Sequence, residues 1–484
     1  MRNPSLRASP LAVCLGLSLS LARDPAIAGE HVNLRGATDF VSAAGPPPWW
    51  PLPQRPRAWS KDQPFRTAGM VAVLNCTDSG GGSLRAAAGA AVSGDTIDMT
   101  QLTCGQITLT TGAVMLNAPA LTLRGPSSNS LTITANSNSG LLRHVDGDSL
   151  TIHDLKLTKG FVDAYFHGYD RGGCLFSNGD IYLGNVVVEE CGVLNSSGGA
   201  IWTSGALTME HSRVSGSTAG AVDIGSPAAL GGGVYAHDGL YLHYSTISNN
   251  EAYSPSGSYG GGAFTFGDTY IFYSTISGNR SGKYNGTLYT RGGVGGLDVA
   301  SGLHASIFNS TISGNYATAN IGGMYANSLF AASIINSTIA FNASGSASYY
   351  GAGLHTGDVN LLGSIVSNNT VGGSAFDFTS SGDVTGSGNL IMAAPVSPPG
   401  TITSDPRLRS LQNSGGPTHA HALAPDSPAI DHGNNIASAV YDQRGTPYLR
   451  VFGAAPDIGA FELQPSVDRI FADGFEQAPG SRYR

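Results

Sequence analysis

The chain keeps spelling one phrase, and that repetition restricts its fold more than any other feature. "GGGVYAHDGLYLHYSTISNN" begins at Gly231 and "GGGAFTFGDTYIFYSTISGN" at Gly260, while "STISGN" returns at Ser310 and "STIAFN" at Ser337. Glycine pairs or near-pairs open units at Gly172, Gly198, Gly231, Gly260, Gly292, Gly322 and Gly351, at intervals of 26, 33, 29, 32, 30 and 29 residues. Self-similarity at this period marks a stacked-repeat architecture, in which no unit can bury its apolar stripe alone.

Aligning the units on the S-T-I-S phrase gives three columns. Met209, Leu242, Ile271, Ile307, Ile334 and Leu361 occupy the first. Val214, Ile247, Ile276, Ile312, Ile339 and Val366 follow five residues later, and Ser217, Asn250, Asn279, Asn315, Asn342 and Asn369 three further on. Residues on one face of a strand are an even number apart, so two inward columns at an odd spacing require a bend between two strands. Stacked units of this kind form a parallel β-helix, and the chirality of β-crossovers favours the right hand. The Asn column falls after the second strand, where a residue tolerant of left-handed backbone turns the chain and stacked amides bond to one another. A propeller blade needs a longer period, and helical solenoids need apolar spacings of three and four.

The expected fold is therefore all-β, a single-stranded right-handed parallel β-helix over 70–395 with room for roughly 11 coils and a rod on the order of 50 Å. "LRAAAGAAV" (Leu84–Val92) is the helical run that caps its open start, and the region after Pro395, 396–465, closes the other end. Residues 466–484 form an exposed tail. Gly is 67 of 484 residues and charged residues are 12%, which suits short strands joined by tight turns. A net charge of −8 with no basic stripe excludes a nucleic-acid partner.

Residues 1–28 read as an export signal: Arg2 and Arg7, the apolar run Leu11–Ala22, then "AIA" before Gly29. The run is too short to span a bilayer, so no integral membrane segment is expected after cleavage. Residues 29–69 are a Pro-rich leader containing Trp49 and Trp50. Four cysteines remain in the mature chain, Cys76, Cys104, Cys174 and Cys191, an even number that fits two disulfides in an exported protein. Three pairings are open; Cys76–Cys104 and Cys174–Cys191 close the shortest loops.

Two segments carry a resemblance to known families. "CTDSGGGSLRAAAGAAVSGDTIDMTQLTCGQITLT", through Ser83, Leu84, Arg85 and Ala87, resembles the N-terminal C-S-L-R-E-A type signature of bacterial secreted β-helix proteins, with Gly82 and Ala86 replacing its cysteine and glutamate. "DPRLRSLQNSGGPTHAHALAPDSPAIDHG", "YDQRG" and "DIGAFE" resemble the choice-of-anchor Q domain, and the "GGAIW" and "GGGVY" starts are similar to polymorphic outer-membrane protein repeats. The resemblance implies a pectate-lyase-like β-helix exported to the surface or medium. It implies no catalytic residues.

Asp180, Asp238, Asp268 and Asp358 each sit beside a turn glycine, where a turn-forming role accounts for them. Glu189 and Glu190 are strand neighbours and point to opposite faces. "DAYFHGYDRGGC" interrupts the repeat and gathers Tyr165, His167, Tyr169, Asp170 and Arg171, a set suited to polysaccharide contact. Thr246, Thr275, Thr311 and Thr338, with Ser248, Ser277 and Ser313, should point outward as a flat hydroxyl lattice able to bind an ordered surface. His419, His421 and His432 are assigned to capping rather than to metal. No cofactor or metal site is expected. The reading that follows is a monomeric, secreted or cell-surface scaffold, adhesin-like and non-catalytic, with an extracellular polysaccharide or cell-envelope surface as partner. A polysaccharide lyase or hydrolase using a groove on the helix is the competing class.

Overall fold

The computed structural model describes residues 69–464 except 137–138, 165–170, 224, 285–286, 289–290, 303, 327–331 and 346–349. Each repeat is one coil of a parallel β-helix. In the coil that carries the phrase, Gly239–His243 lies in a 12-stranded sheet, Thr246–Ser248 in an 11-stranded sheet and Glu251–Tyr253 in a 9-stranded sheet. A loop then leads to Ala263–Thr265, in a 10-stranded sheet. We call these sheets 1, 2, 3 and 4. A coil visits them in that order, so sheets 2 and 4 lie on opposite faces of the rod, with sheets 1 and 3 between them.

Both apolar columns stack residue on residue. Met209 pairs with Leu242, Leu242 with Ile271, and so on to Leu361 in sheet 1. Val214, Ile247, Ile276, Ile312, Ile339 and Val366 do the same in sheet 2. All twelve side chains are fully buried. One shared interior supplies the burial that no single coil could achieve.

The corners explain the rest of the phrase. Its first Ser is buried at the bend between sheets 1 and 2: Ser245 N donates to Ser274 Oγ (3.0 Å), Ser274 N to Ser310 Oγ (3.0 Å), Ser310 N to Ser337 Oγ (3.2 Å) and Ser337 N to Ser364 Oγ (3.1 Å). The Asn column does the same between sheets 2 and 3. Asn250, Asn279, Asn315 and Asn342 each donate both backbone N–H and Nδ2 to Oδ1 of the Asn one coil on, at 2.9–3.1 Å. The ladder is directional, so its last member needs an acceptor. Asp377 supplies it, taking Asn369 N (2.7 Å) and Nδ2 (2.9 Å) on Oδ1. Left-handed backbone belongs to the residue before each ladder position: Gly216, Asn249, Gly278, Gly314, Phe341 and Asn368, with φ between 55 and 67°. The expectation for the Asn column was thus one residue late, because turning the chain there is what aims the next amide into the stack.

The helix Leu84–Ala90 closes the start. Ser83 caps it, accepting from Ala86 N, and Leu84, Ala87 and Ala88 are buried in the core. Arg85 donates to Asp78 Oδ1 and to the carbonyls of Gly112 and Ala113, each at 2.7 Å. Burial disfavours the Asp78 carboxylate, but hydrogen bonds from Arg85, Thr111 and Thr110 outweigh it and hold this group below the ordinary range. Disulfides join Cys76 to Cys104 and Cys174 to Cys191.

The segment after Pro395 does more than close the far end. Ile402 pairs beyond the last strand of sheet 2, and Ile391 N donates to its carbonyl (2.8 Å). The chain then turns back and lies along the flank. Ala420, Ala422, Leu423, Ile458 and Phe461 pack on Ile365 and Leu390, while Ala437 and Ala439 pack on Phe272, Phe308 and Ile335. Gly459 allows a close approach: a Cβ there would lie 2.7 Å from Ile365 Cδ1. Charged groups fill much of this segment's interior. Arg444 forms a buried ion pair with Asp442 (2.7 Å) and is sandwiched between the rings of Tyr448 (3.9 Å) and Phe461 (3.8 Å). Arg450 donates to the carbonyls of Gly459 and Asp457, and the Glu462 carboxyl accepts from Phe452 N and Asp457 N, at 2.8 Å each. Burial pushes Glu462 up to about 8 against the pull of Arg450. "DQRG" and "DIGAFE" are therefore the polar core of a flank-covering segment.

Replacing Asn315 by Ala should lower unfolding free energy by about 3 kcal/mol, because it strands the backbone N–H and one of the two Nδ2 hydrogens of Asn279 in the interior, the other staying on Ile247 O. Denaturant unfolding checks this. A loss under about 0.5 kcal/mol, the range of an ordinary surface change, would mean that the ladder does not hold the coils.

Candidate functional site

Sheet 4 carries an outward column unlike any other. Phe176, Trp202, Tyr235, Phe264, Asp298, Tyr325 and His355 pair in register, one per coil. The first four rings stack at 5.0, 5.5 and 5.7 Å with interplanar angles of 7–12°. Arginine faces close the stack at its start: Arg143 lies 4.5 Å from the Phe176 centroid and Arg171 4.7 Å from that of Trp202. Tyr325 and His355 resume it at 5.7 Å, 15°.

Asp298 breaks this aromatic run. The residue is 4% exposed, no described residue hydrogen-bonds its carboxyl, and its oxygens face the pocket rather than a sealed interior. Burial alone pushes its pKa up to about 7. Poor solvation makes the charged form of such a carboxyl costly. It opens onto a pocket of 370 Å³ walled by Tyr259, Phe264, Tyr325 and Tyr350, with Val294, Ile321 and Asn320 between them. Tyr350 and His355 meet at 4.3 Å, and His355 Nδ1 bonds Thr379 Oγ1 (2.9 Å). Burial lowers the His355 pKa, favouring the neutral ring. Among the described lining residues Asp298 is the only carboxyl. Such a pocket can stack the apolar face of a small ring and hydrogen-bond its polar edge.

Of the loop residues expected to contact glycan, Tyr165, His167, Tyr169 and Asp170 lie outside the described residues, and Arg171 stands on the aromatic stack. The hydroxyl lattice is in place but covered. Thr275, Thr311, Thr338 and Ser313 face outward, yet all are buried under the C-terminal segment. Thr275 Oγ1 donates to His419 O (2.7 Å), Thr311 Oγ1 to Gln443 Oε1 (2.5 Å), and Thr338 Oγ1 accepts from Ala460 N (3.0 Å). Only Thr246, Ser248 and Ser277 stay half-exposed. Period-two alternation tells which way a hydroxyl faces but not what lies over it.

His421 is a fastening. Its Nδ1 faces Arg409 O (2.7 Å) and must carry the proton, so Nε2 accepts from the Ser313 hydroxyl (2.7 Å); burial keeps the ring neutral. His419 is exposed, and His432 Nδ1 bonds Ile430 O (2.5 Å). Among the described residues no group of three His, Cys, Asp or Glu is placed to hold a metal. Asp180, Asp268 and Asp358 accept the backbone N–H of Ala206, His304 and Asp383, one coil on. Asp238 bonds its neighbour His237 (2.6 Å). Glu189 pairs with Lys156 and Arg213 on sheet 2, while Glu190 occupies a left-handed corner.

A further polar cluster lies on sheet 1. Tyr182 donates to Glu210 Oε2 (2.5 Å), and His243 Nδ1 stands 3.6 Å from Oε1. His243 draws the Glu210 pKa down to about 2, against burial and with help from Tyr182.

Asp298 was missed from the sequence, although a signal exists. Aligned on their glycines, "GCLFS", "GAIWT", "GGVYA", "GGAFT", "GGLDV", "GGMYA" and "AGLHT" place one Asp among six aromatic residues, counting His.

No family model matches the chain, and no curated protein does. Among solved structures it is similar to pectate lyase Pel9A, at 15% identity and a TM-score of 0.45, covering 83% of this chain and 98% of that one. It is also similar to the A-module of mannuronan C-5 epimerase AlgE4 from Azotobacter vinelandii, at 16% identity and a TM-score of 0.33, covering 64% and 91%. At these values the likeness concerns the winding of the chain, and the residues of each site must be read on their own.

Asp298→Asn should raise stability increasingly with pH. The native carboxyl binds its proton up to about pH 7 and the unfolded one only up to about 4, so between those values wild-type stability falls more steeply than that of the Asn variant, which keeps only the other raised carboxyls such as Glu462. Thermal melts of both proteins at pH 5 and 7.5 test this, and an equal difference at the two pH values would show that Asp298 titrates normally.

Proposed function

We propose that this protein is an exported, non-catalytic β-helix that holds polysaccharide, with a sugar unit of an uncharged glycan seated in the sheet 4 pocket. The observation that carries this reading is the Asp298 carboxyl, set in the pocket wall between Phe264 and Tyr325 with no hydrogen-bond partner among the described residues. Aromatic walls stack the C–H faces of a pyranose, and a carboxyl that both donates and accepts near neutral pH suits paired sugar hydroxyls. Above about pH 7, where Asp298 is ionised, a uronate would bring a second negative charge against it. Two-carboxylate hydrolysis needs a partner acid, and none of the described lining residues supplies one. Two disulfides fit an oxidising compartment, and no described helix is long and apolar enough to cross a membrane. The disulfides support a location in the medium or at the cell surface.

Calorimetric titration with neutral and uronate oligosaccharides tests the proposal. Neutral oligomers should bind, and Asp298→Ala or Tyr325→Ala should weaken them about tenfold or more. Cleavage of any glycan by the wild type that stops in Asp298→Asn would make the protein an enzyme and overturn the reading.

A further inference from the structure

On the opposite face, the C-terminal hairpin Leu408–Gln412 and Ala420–Leu423 stands over sheet 2 and leaves an open groove of 880 Å³. Its floor is the exposed remainder of the hydroxyl lattice, Thr246, Ser248 and Ser277, and its far end is Phe341. The charged residues along it are Arg213 and Arg409, with His419 on the rim. No described lining residue is acidic, in a chain with 33 Asp and Glu and a net charge of −8. That inversion of sign within one groove is the feature to be explained.

We propose that this groove is a second binding site, which takes a glycan chain carrying carboxylates. Arg213 is shared with Glu189 (2.9 Å), which also pairs with Lys156, so the three charges leave one net positive at that end. The Arg409 guanidinium enters no ion pair among the described residues, and its backbone is fixed by His421 Nδ1. Guanidinium groups meet carboxylates with directed, charge-assisted hydrogen bonds. Between them, Ser248 and Ser277 pair in register and repeat at the coil spacing of about 4.8 Å, offering hydroxyls to an extended sugar chain. Phe341, 41% exposed, adds a ring on which a pyranose can rest. A nucleic acid would meet too few cations here to offset the overall negative charge. Sheets 1 and 3 separate this groove from the Asp298 pocket, so both can be filled at once and the rod can join an acidic glycan to a neutral one.

The test uses the full chain with size-defined oligogalacturonate and a sulfated glucan of equal length, titrated at two salt concentrations. The oligogalacturonate should bind, more weakly at high salt. The double variant R213Q/R409Q should lose about tenfold or more in affinity. Ser277→Tyr fills the groove with its charges intact and should block binding as well, whereas Asp298→Asn should leave it unchanged. Absence of oligogalacturonate binding, wild-type affinity in both groove variants, or binding of the sulfated glucan alone would overturn the proposal. Neutral-glycan affinity that survives in R213Q/R409Q keeps the sheet 4 reading separate, so either site can fail without the other.

Discussion

The structure depends on how the polar groups at its inner corners are satisfied. A chain that bends twice within a dry interior leaves backbone N–H groups aimed at the core, and each would be costly if unpaired. Here every such donor in the Ser and Asn ladders meets a side chain one coil on, and Asp377 ends the Asn series with a group that only accepts. The spacing from ladder Ser to ladder Asn is invariant, as in Ser245–Asn250, Ser274–Asn279 and Ser310–Asn315. Length changes between coils must therefore fall outside those six residues, chiefly in the loops from sheet 3 to sheet 4. Those loops wall the Asp298 pocket. The same constraint that holds the rod rigid thus decides where a binding site can grow.

The two faces carry opposite chemistry for related reasons. On sheet 4 a ring per coil builds a stack, and a single Asp interrupts it beside a pocket. On sheet 2 a hydroxyl per coil builds a lattice, and the C-terminal segment covers part of it and leaves a groove at its edge. That segment holds its shape through a buried pair, Asp442–Arg444, and through Glu462 and Arg450 rather than through a large apolar centre. Removing one member would leave another charge buried and unpaired, which is why such sets stay together.

Much of the fold was legible because stacking is periodic. Ile276 lies over Ile247 and Ile312 in a register that alignment on a short phrase reproduces. The helix at Leu84 was legible from its alanine run, and Ser83 as its cap emerged only from the structure. What was not legible depends on contacts far apart in the chain. Thr311 and Gln443 are 132 residues apart, and nothing in the spacing of either announces their hydrogen bond. The left-handed corner at Phe341 was hidden because its residue type gives no sign of φ. Asp298 was not legible as the turn aspartates were, because its meaning lies in a column of rings one coil apart on sheet 4.

Amide hydrogen exchange across the full chain tests the central claim most directly. If paired ladders fasten the coils, the backbone N–H groups of Asn250, Asn279, Asn315 and Asn342 should exchange together, at the rate of global unfolding, and rank with the slowest in the molecule. Exchange at those positions as fast as in the sheet 3 to sheet 4 loops, with the apolar strands still protected, would contradict it and leave the aliphatic interior alone as the source of stability.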